Sequence, residues 1–139
     1  PPRLRARDPR RVDRAARGGD ERQGGTAGRW LDRGIELDNW GVEGHREVTF
    51  GFHLCRGNQA SRWLVEGGYE PIAGRVFRRV TAQRLLLEYD DERSGSFQPL
   101  REVPDDKGVV LGLITTKSPR RGTVAGLTGP VRRAPDHID

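Results

Sequence analysis

Residues 47–55 read EVTFGFHLC, and this stretch decides the fold. Val48, Phe50, Phe52 and Leu54 alternate with Thr49, Gly51, His53 and Cys55. An extended chain points successive side chains to opposite faces, so the first set makes an apolar face and the second carries the imidazole and the thiol. Aromatic and β-branched side chains suit a pleated surface, and the stretch predicts a strand. Leu85-Leu86-Leu87-Glu88-Tyr89 is a short apolar run without alternation, the pattern of a strand covered on both faces. A third strand is expected over 108–115, after Asp105-Asp106-Lys107.

Outward from these strands the pattern changes period. Residues 56–68 read as a long loop, and a helix is expected over 69–80. Pro71 stands in its first turn and Ile72, Val76 and Val80 form one stripe, with Phe77 beside it. Upstream, Trp30, Leu31, Ile35, Leu37 and Val42 recur at approximate helical spacing. Downstream, Val124, Leu127, Val131 and Ile138 do the same, among Gly and Pro residues that each weaken a helix, a Gly by roughly 1 kcal/mol. Residues 1–29 alternate Arg with Asp, Gly and Ala and offer little to bury. They are expected to be loosely ordered, with the folded domain at 30–139.

Strands separated by crossovers of this length pair in parallel and right-handedly. The expected class is α/β, about three strands of a (β/α)8 TIM barrel with their crossover helices. Chemistry in such barrels sits at the C-terminal ends of the strands, where His53, Cys55 and Glu88 fall.

Composition narrows the partners. The net charge is +5, yet residues 34–116 hold ten basic and thirteen acidic side chains, so the strand-bearing middle is acidic. The basic excess lies in the flanks: ten Arg against five acids in residues 1–33, and five basic residues against two acids after residue 116. With only Lys107 and Lys117 as lysines, this Arg-rich composition reads as a bias toward Arg, Gly, Ala and Pro rather than a surface built for a polyanion. No run approaches the ~20 apolar residues of a membrane span. Cys55 is the only cysteine, so no internal disulfide forms, and a lone thiol near a histidine suits a reducing, cytoplasmic setting. The chain opens on Pro1 rather than Met, as expected of a piece of something longer.

His53 and Cys55, two residues apart on a strand, share a face, and Glu88 ends the neighbouring strand. One nitrogen, one sulfur and one oxygen donor suit Zn²⁺. Taken alone, a His-x-Cys pair is common, and a core-facing Cys usually serves as a small apolar residue. Around it, however, Phe50-Gly51-Phe52-His53-Leu54-Cys55-Arg56-Gly57-Asn58 resembles the zinc-binding strand of the cobalamin-independent methionine synthase family. So do residues 62–69 (RWLVEGGY), 87–95 (LEYDDERSG) and 109–119 (VVLGLITTKSP), in family order.

The resemblance implies a zinc-dependent enzyme that methylates the thiol of homocysteine, the methyl coming from a methylated folate or a corrinoid. It implies His53, Cys55 and Glu88 as metal ligands. Arg56, Asn58, Tyr89, Asp90, Lys117 and Ser118 stand around them as candidate substrate-binding residues. The family's fourth ligand is a second cysteine on a later strand, and no cysteine follows Cys55 here. An isolated chain of this sequence is therefore expected to be inactive, with an incomplete zinc site. The alternative is a non-catalytic basic module that binds nucleic acid through its Arg-rich flanks.

Overall fold

Leu85 and Leu87 lie at the centre of the packing, and the rest of the fold is arranged on them. The computed structural model describes residues 21–119 and 122–134; the Arg-rich stretch 1–20 and His137 lie outside them. The element order is α1 (Glu21–Val42), β1 (Gly51–Leu54), α2 (Ala73–Arg79), β2 (Arg84–Glu88), two 3₁₀ turns (Glu92–Ser94 and Gln98–Glu102), β3 (Gly108–Gly112) and α3 (Val124–Arg133). The strands form a parallel sheet in the order β1-β2-β3. The class is α/β, as the sequence implied.

Register follows from the alternation. His53 lies opposite Leu86 and Leu54 opposite Leu87, while Leu86 lies opposite Val110 and Glu88 opposite Gly112. Partners in a parallel pair point to the same side, so Phe52, Leu54, Leu85, Leu87, Val109 and Leu111 face one layer. There they meet Val76, Phe77 and Leu100, of which Phe77 and Leu100 are wholly buried. Each such side chain contributes roughly 1.5–3 kcal/mol on burial. The other sheet face carries His53, Leu86 and Val110, and Val110 remains 48% exposed.

Helix α2 is explained by its own residues. Ala73, Val76, Phe77 and Val80 fall at i, i+3, i+4 and i+7 and are all buried. The Tyr69 carbonyl accepts from the Ile72 and Ala73 amides (2.9 and 2.8 Å), which opens the helix. Val80 turns extended and closes it, with Arg78 and Arg79 in the last turn opposing the helix dipole. Lys107 Nζ then donates to the carbonyls of Val80 (2.6 Å) and Ala82 (2.9 Å), tying the start of β3 to the end of α2.

Several expectations are corrected. Among the described residues helix α1 covers Glu21–Val42, so it runs through Gly24 and Gly25 and crosses residue 30. Its Trp30 and Leu37 are exposed, and docking rests on Ile35 and Leu31. The first strand covers Gly51–Leu54 rather than 47–55, because only those residues find partners on β2. For the same reason β3 stops at Gly112 instead of Thr115. The expected helix over 69–80 is shorter at both ends, and the last helix closes at Arg133.

Candidate functional site at the strand ends

The polar cluster sits where β1, β2 and β3 end, and it is built around the carboxylate of Glu88. One oxygen, Oε2, accepts the backbone N–H of Arg56 at 2.9 Å. The other, Oε1, accepts from Lys117 Nζ at 2.9 Å, and the same ammonium reaches Asp90 Oδ2 at 3.4 Å. The three side chains retain only 10%, 9% and 2% exposure for Glu88, Lys117 and Asp90. Burial pulls the Lys117 ammonium toward neutrality, but the hydrogen bond and charge of Glu88, joined by Asp90, outweigh it and hold its pKa above the ordinary value. For Asp90, burial is likewise the largest influence and pushes upward. The neighbouring Thr115 side chain, the Lys117 charge and hydrogen bond, and the charge of Arg93 together overcome it, so the carboxyl titrates below its usual range.

A hollow of about 250 Å³ opens over this cluster, lined among others by His53, Glu88, Asp90, Val110, Thr116 and Lys117. A larger one, about 560 Å³, lies at the opposite end of the strands between Trp40, His45, Phe50 and Gln83. It gathers no comparable set of paired charges, and His45 there is exposed beside Glu47 (3.7 Å).

The expected site residues divide. His53, Glu88, Asp90 and Lys117 share the hollow. Cys55 is exposed at the end of β1 and is not part of its lining. Asn58 donates to Thr116 Oγ1 at 2.8 Å and accepts the Ser61 amide at 3.1 Å, which fastens the 56–68 loop to the segment after β3. Ser118 is half-buried beside Lys117.

Two of the candidates are turned inward. Arg56 is 4% exposed, and its guanidinium is spent on the carbonyls of Gly67 (2.9 Å), Glu88 (2.8 Å) and Ser94 (3.1 Å) and on the Tyr69 hydroxyl (3.1 Å). It lies over the Tyr69 ring at 4.4 Å, turned into the protein rather than toward a ligand. Tyr89 is 8% exposed, with its ring packed against Tyr69 and Phe97, and burial raises its hydroxyl pKa.

Tyr69, the last residue of the RWLVEGGY stretch, holds the strand ends together. Its hydroxyl donates to the Leu54 carbonyl (2.9 Å) and accepts the Glu88 amide (2.8 Å), so it bridges β1 and β2 immediately before both candidate ligands. Nothing local marks it except the adjoining Gly67-Gly68.

Zinc takes four tetrahedral N, S or O donors. Here the donor types suit the ion, and His53 lies on β1 with Cys55 just past its end, but the placement does not fit. Among the described residues no three His, Cys, Asp or Glu side chains gather to hold a metal. Glu88 is bound to Lys117 instead.

A three-stranded parallel sheet with charged residues at its C-terminal strand ends defines the class of molecule. Two curated proteins of Bacillus subtilis (strain 168) are similar to the chain. The uncharacterized protein YxjG is 49% identical over 72 residues, and the uncharacterized protein YxjH is 47% identical over 72 residues. Each alignment covers 51% of this chain and 19% of the relative, so the chain spans about a fifth of the length of the proteins it matches. No family model matches the chain, and no solved structure does. No helix among the described residues is long and apolar enough to cross a membrane.

Proposed function

We propose that this chain is a segment of a zinc-dependent methyltransferase of the cobalamin-independent methionine synthase type, and that it carries the strand-end donors of a larger (β/α)8 barrel. The reaction of the whole enzyme is transfer of a methyl group to the sulfur of homocysteine, from a methylated folate or a corrinoid. The observation that carries the proposal is the register of β1 on β2. In it β1, which holds His53 and ends one residue before Cys55, lies beside the strand that ends at Glu88, in the motif context FHLCRGN and LEYDDERSG. The parallel sheet and its polar C-terminal ends support the barrel reading. The likeness to YxjG and YxjH supports a shared segment and names no activity.

On this reading the isolated chain is inactive, because Glu88 is engaged by Lys117 and no second cysteine is present to complete a four-donor site. The test is metal binding by the chain at saturating Co²⁺, whose thiolate complexes absorb in the near ultraviolet. The parent chain is expected to give a thiolate–cobalt band that Cys55→Ser abolishes. A band that survives Cys55→Ser, or no Cys55-dependent binding in any variant, removes the zinc assignment.

A further inference from the structure

We propose that the solvent-facing stripe of α1 is a self-association surface, on which a second copy of this chain packs antiparallel with its large side chains seated over glycines. The inference is independent of the zinc reading. It starts from helical geometry: at about 3.6 residues per turn, α1 presents two distinct stripes. Leu31, Ile35 and Asn39, spaced by four, turn toward α2, and Ile35 is 3% exposed there. Trp30, Leu37 and Trp40, spaced by seven and three, fall on the opposite side and stand 72%, 48% and 74% exposed. Contiguous bare apolar surface of this kind marks an interaction site. Gly34 and Gly41 lie on the same stripe, four residues after Trp30 and Leu37, and a Cβ added at either meets nothing within 4 Å.

The stripe is complementary to itself. When two copies of α1 run antiparallel with Leu37 facing Gly34 of the second copy, Trp30 comes to face the second copy's Gly41. The two-fold axis repeats both contacts. Each glycine lets the backbones approach closely and leaves a notch that the leucine or the indole fills. Charge agrees with this register. Arg33 is exposed and hydrogen-bonded to Glu36 of its own helix at 3.1 Å, and on that flank it comes beside Glu36 and Trp40 of the second copy, an opposite charge and an aromatic face. A tryptophan buries about 150–250 Å². Four of them with two leucines reach the roughly 1,000 Å² at which a specific interface begins, enough for a weak, reversible dimer. The acids Glu36 and Asp38 offset Arg29 and Arg33, so the stripe carries no basic excess to select a polyanion or an anionic membrane.

Sedimentation equilibrium of the 139-residue chain at rising concentration tests this, with the mass expected to climb from 15.6 kDa toward twice that value. Gly34→Leu is the decisive variant. It improves helix propensity and has open space in the monomer, so the fold is kept, and circular dichroism checks that it is. It also makes the stripe more apolar, so unspecific sticking would grow stronger. Filling the notch is expected instead to weaken the dimer at least about 10-fold. Adding Leu37→Ala to Gly34→Leu reopens room on the facing helix and is expected to restore association toward the parent level. Trp30→Ala, at an exposed position, is expected to weaken the dimer by a similar factor and leave the monomer folded. A chain that stays monomeric at every concentration overturns the proposal, and so does one that grows past the dimer. Association that Gly34→Leu strengthens or leaves unchanged overturns it as well, as does a double variant that is not rescued. A monomer that co-sediments with phosphatidylserine–phosphatidylcholine vesicles through Trp30 assigns the stripe to a membrane instead.

Discussion

At the scale of single residues, Arg56 decides how the strand ends are held. Its backbone amide binds Glu88, and its side chain gathers carbonyls from Gly67, Glu88 and Ser94. No carboxylate pairs with the guanidinium in these contacts; carbonyl dipoles and the face of Tyr69 offset the cost of burying it. A planar fork spreads five donors over three nitrogens and so reaches carbonyls on separate segments, whereas an ammonium has three donors on a single atom. Arg56→Lys is therefore expected to lose about 2–4 kcal/mol of stability, the range for a broken buried network. Urea titration measures this, and a change below about 0.5 kcal/mol, the size of an ordinary surface substitution, would contradict the assignment. The loop after it depends on a glycine: Gly57 has φ +84, and a Cβ there would lie 2.8 Å from Leu64 Cγ.

At the scale of elements, α1 is held by few contacts. Beyond Ile35 and Leu31, its hold on α2 is polar: Asn39 Nδ2 donates to the Arg79 carbonyl, and Asn39 Oδ1 accepts the Thr81 amide, both at 2.8 Å. Asp32 pairs with Arg75 and Arg79 from the same face. Asn39→Ala removes these two bonds and the one that the Thr81 hydroxyl donates to Asn39 Oδ1 (3.2 Å), and frees the end of α2, with an expected loss of about 1–2 kcal/mol. Hydrogen exchange checks it: amides of α1 should exchange faster while those of β2 keep their protection, and equal loss in both would show that α1 is not a separable unit.

The same scale shows what could be read from the chain. The strand cores and α2 were legible because their signal is local, an alternation of period two or a stripe of period 3.6. The strand ends were not, since Val48 and Thr115 have strand-like chemistry but no partner across the sheet. Of the site, Glu88, Asp90 and Lys117 were visible as charges beside strand ends. Their mutual pairing was not, because 27 and 29 residues separate Lys117 from its two partners. The inward turn of Arg56 was hidden for a related reason. A charged residue in a Gly-Asn loop looks solvent-facing until Tyr69 and Ser94 are folded over it.

At the scale of the whole molecule, the two lysines tie opposite ends of the sheet. Lys107, one of the two lysines, ties the N-terminal side by binding carbonyls, and Lys117 ties the C-terminal side by binding carboxylates. Only the second tie depends on the ionisation of both partners, and this sets a pH window. Asp90 is held below its ordinary pKa of 3.8, so its stabilisation is complete above that value and fades as pH falls through the lower folded value. Lys117 is held above 10.5, so its share is complete below that value and is lost as pH rises through the higher folded one. Stability should therefore form a plateau between the two ordinary values and decline outside it. Denaturant midpoints taken across this range test the shape, and Asp90→Asn tests the cause. The variant should sit lower on the plateau yet lose less on acidification, because the group that must be protonated is gone. An acid limb of unchanged depth in Asp90→Asn would place the acid-sensitive contact elsewhere in the chain.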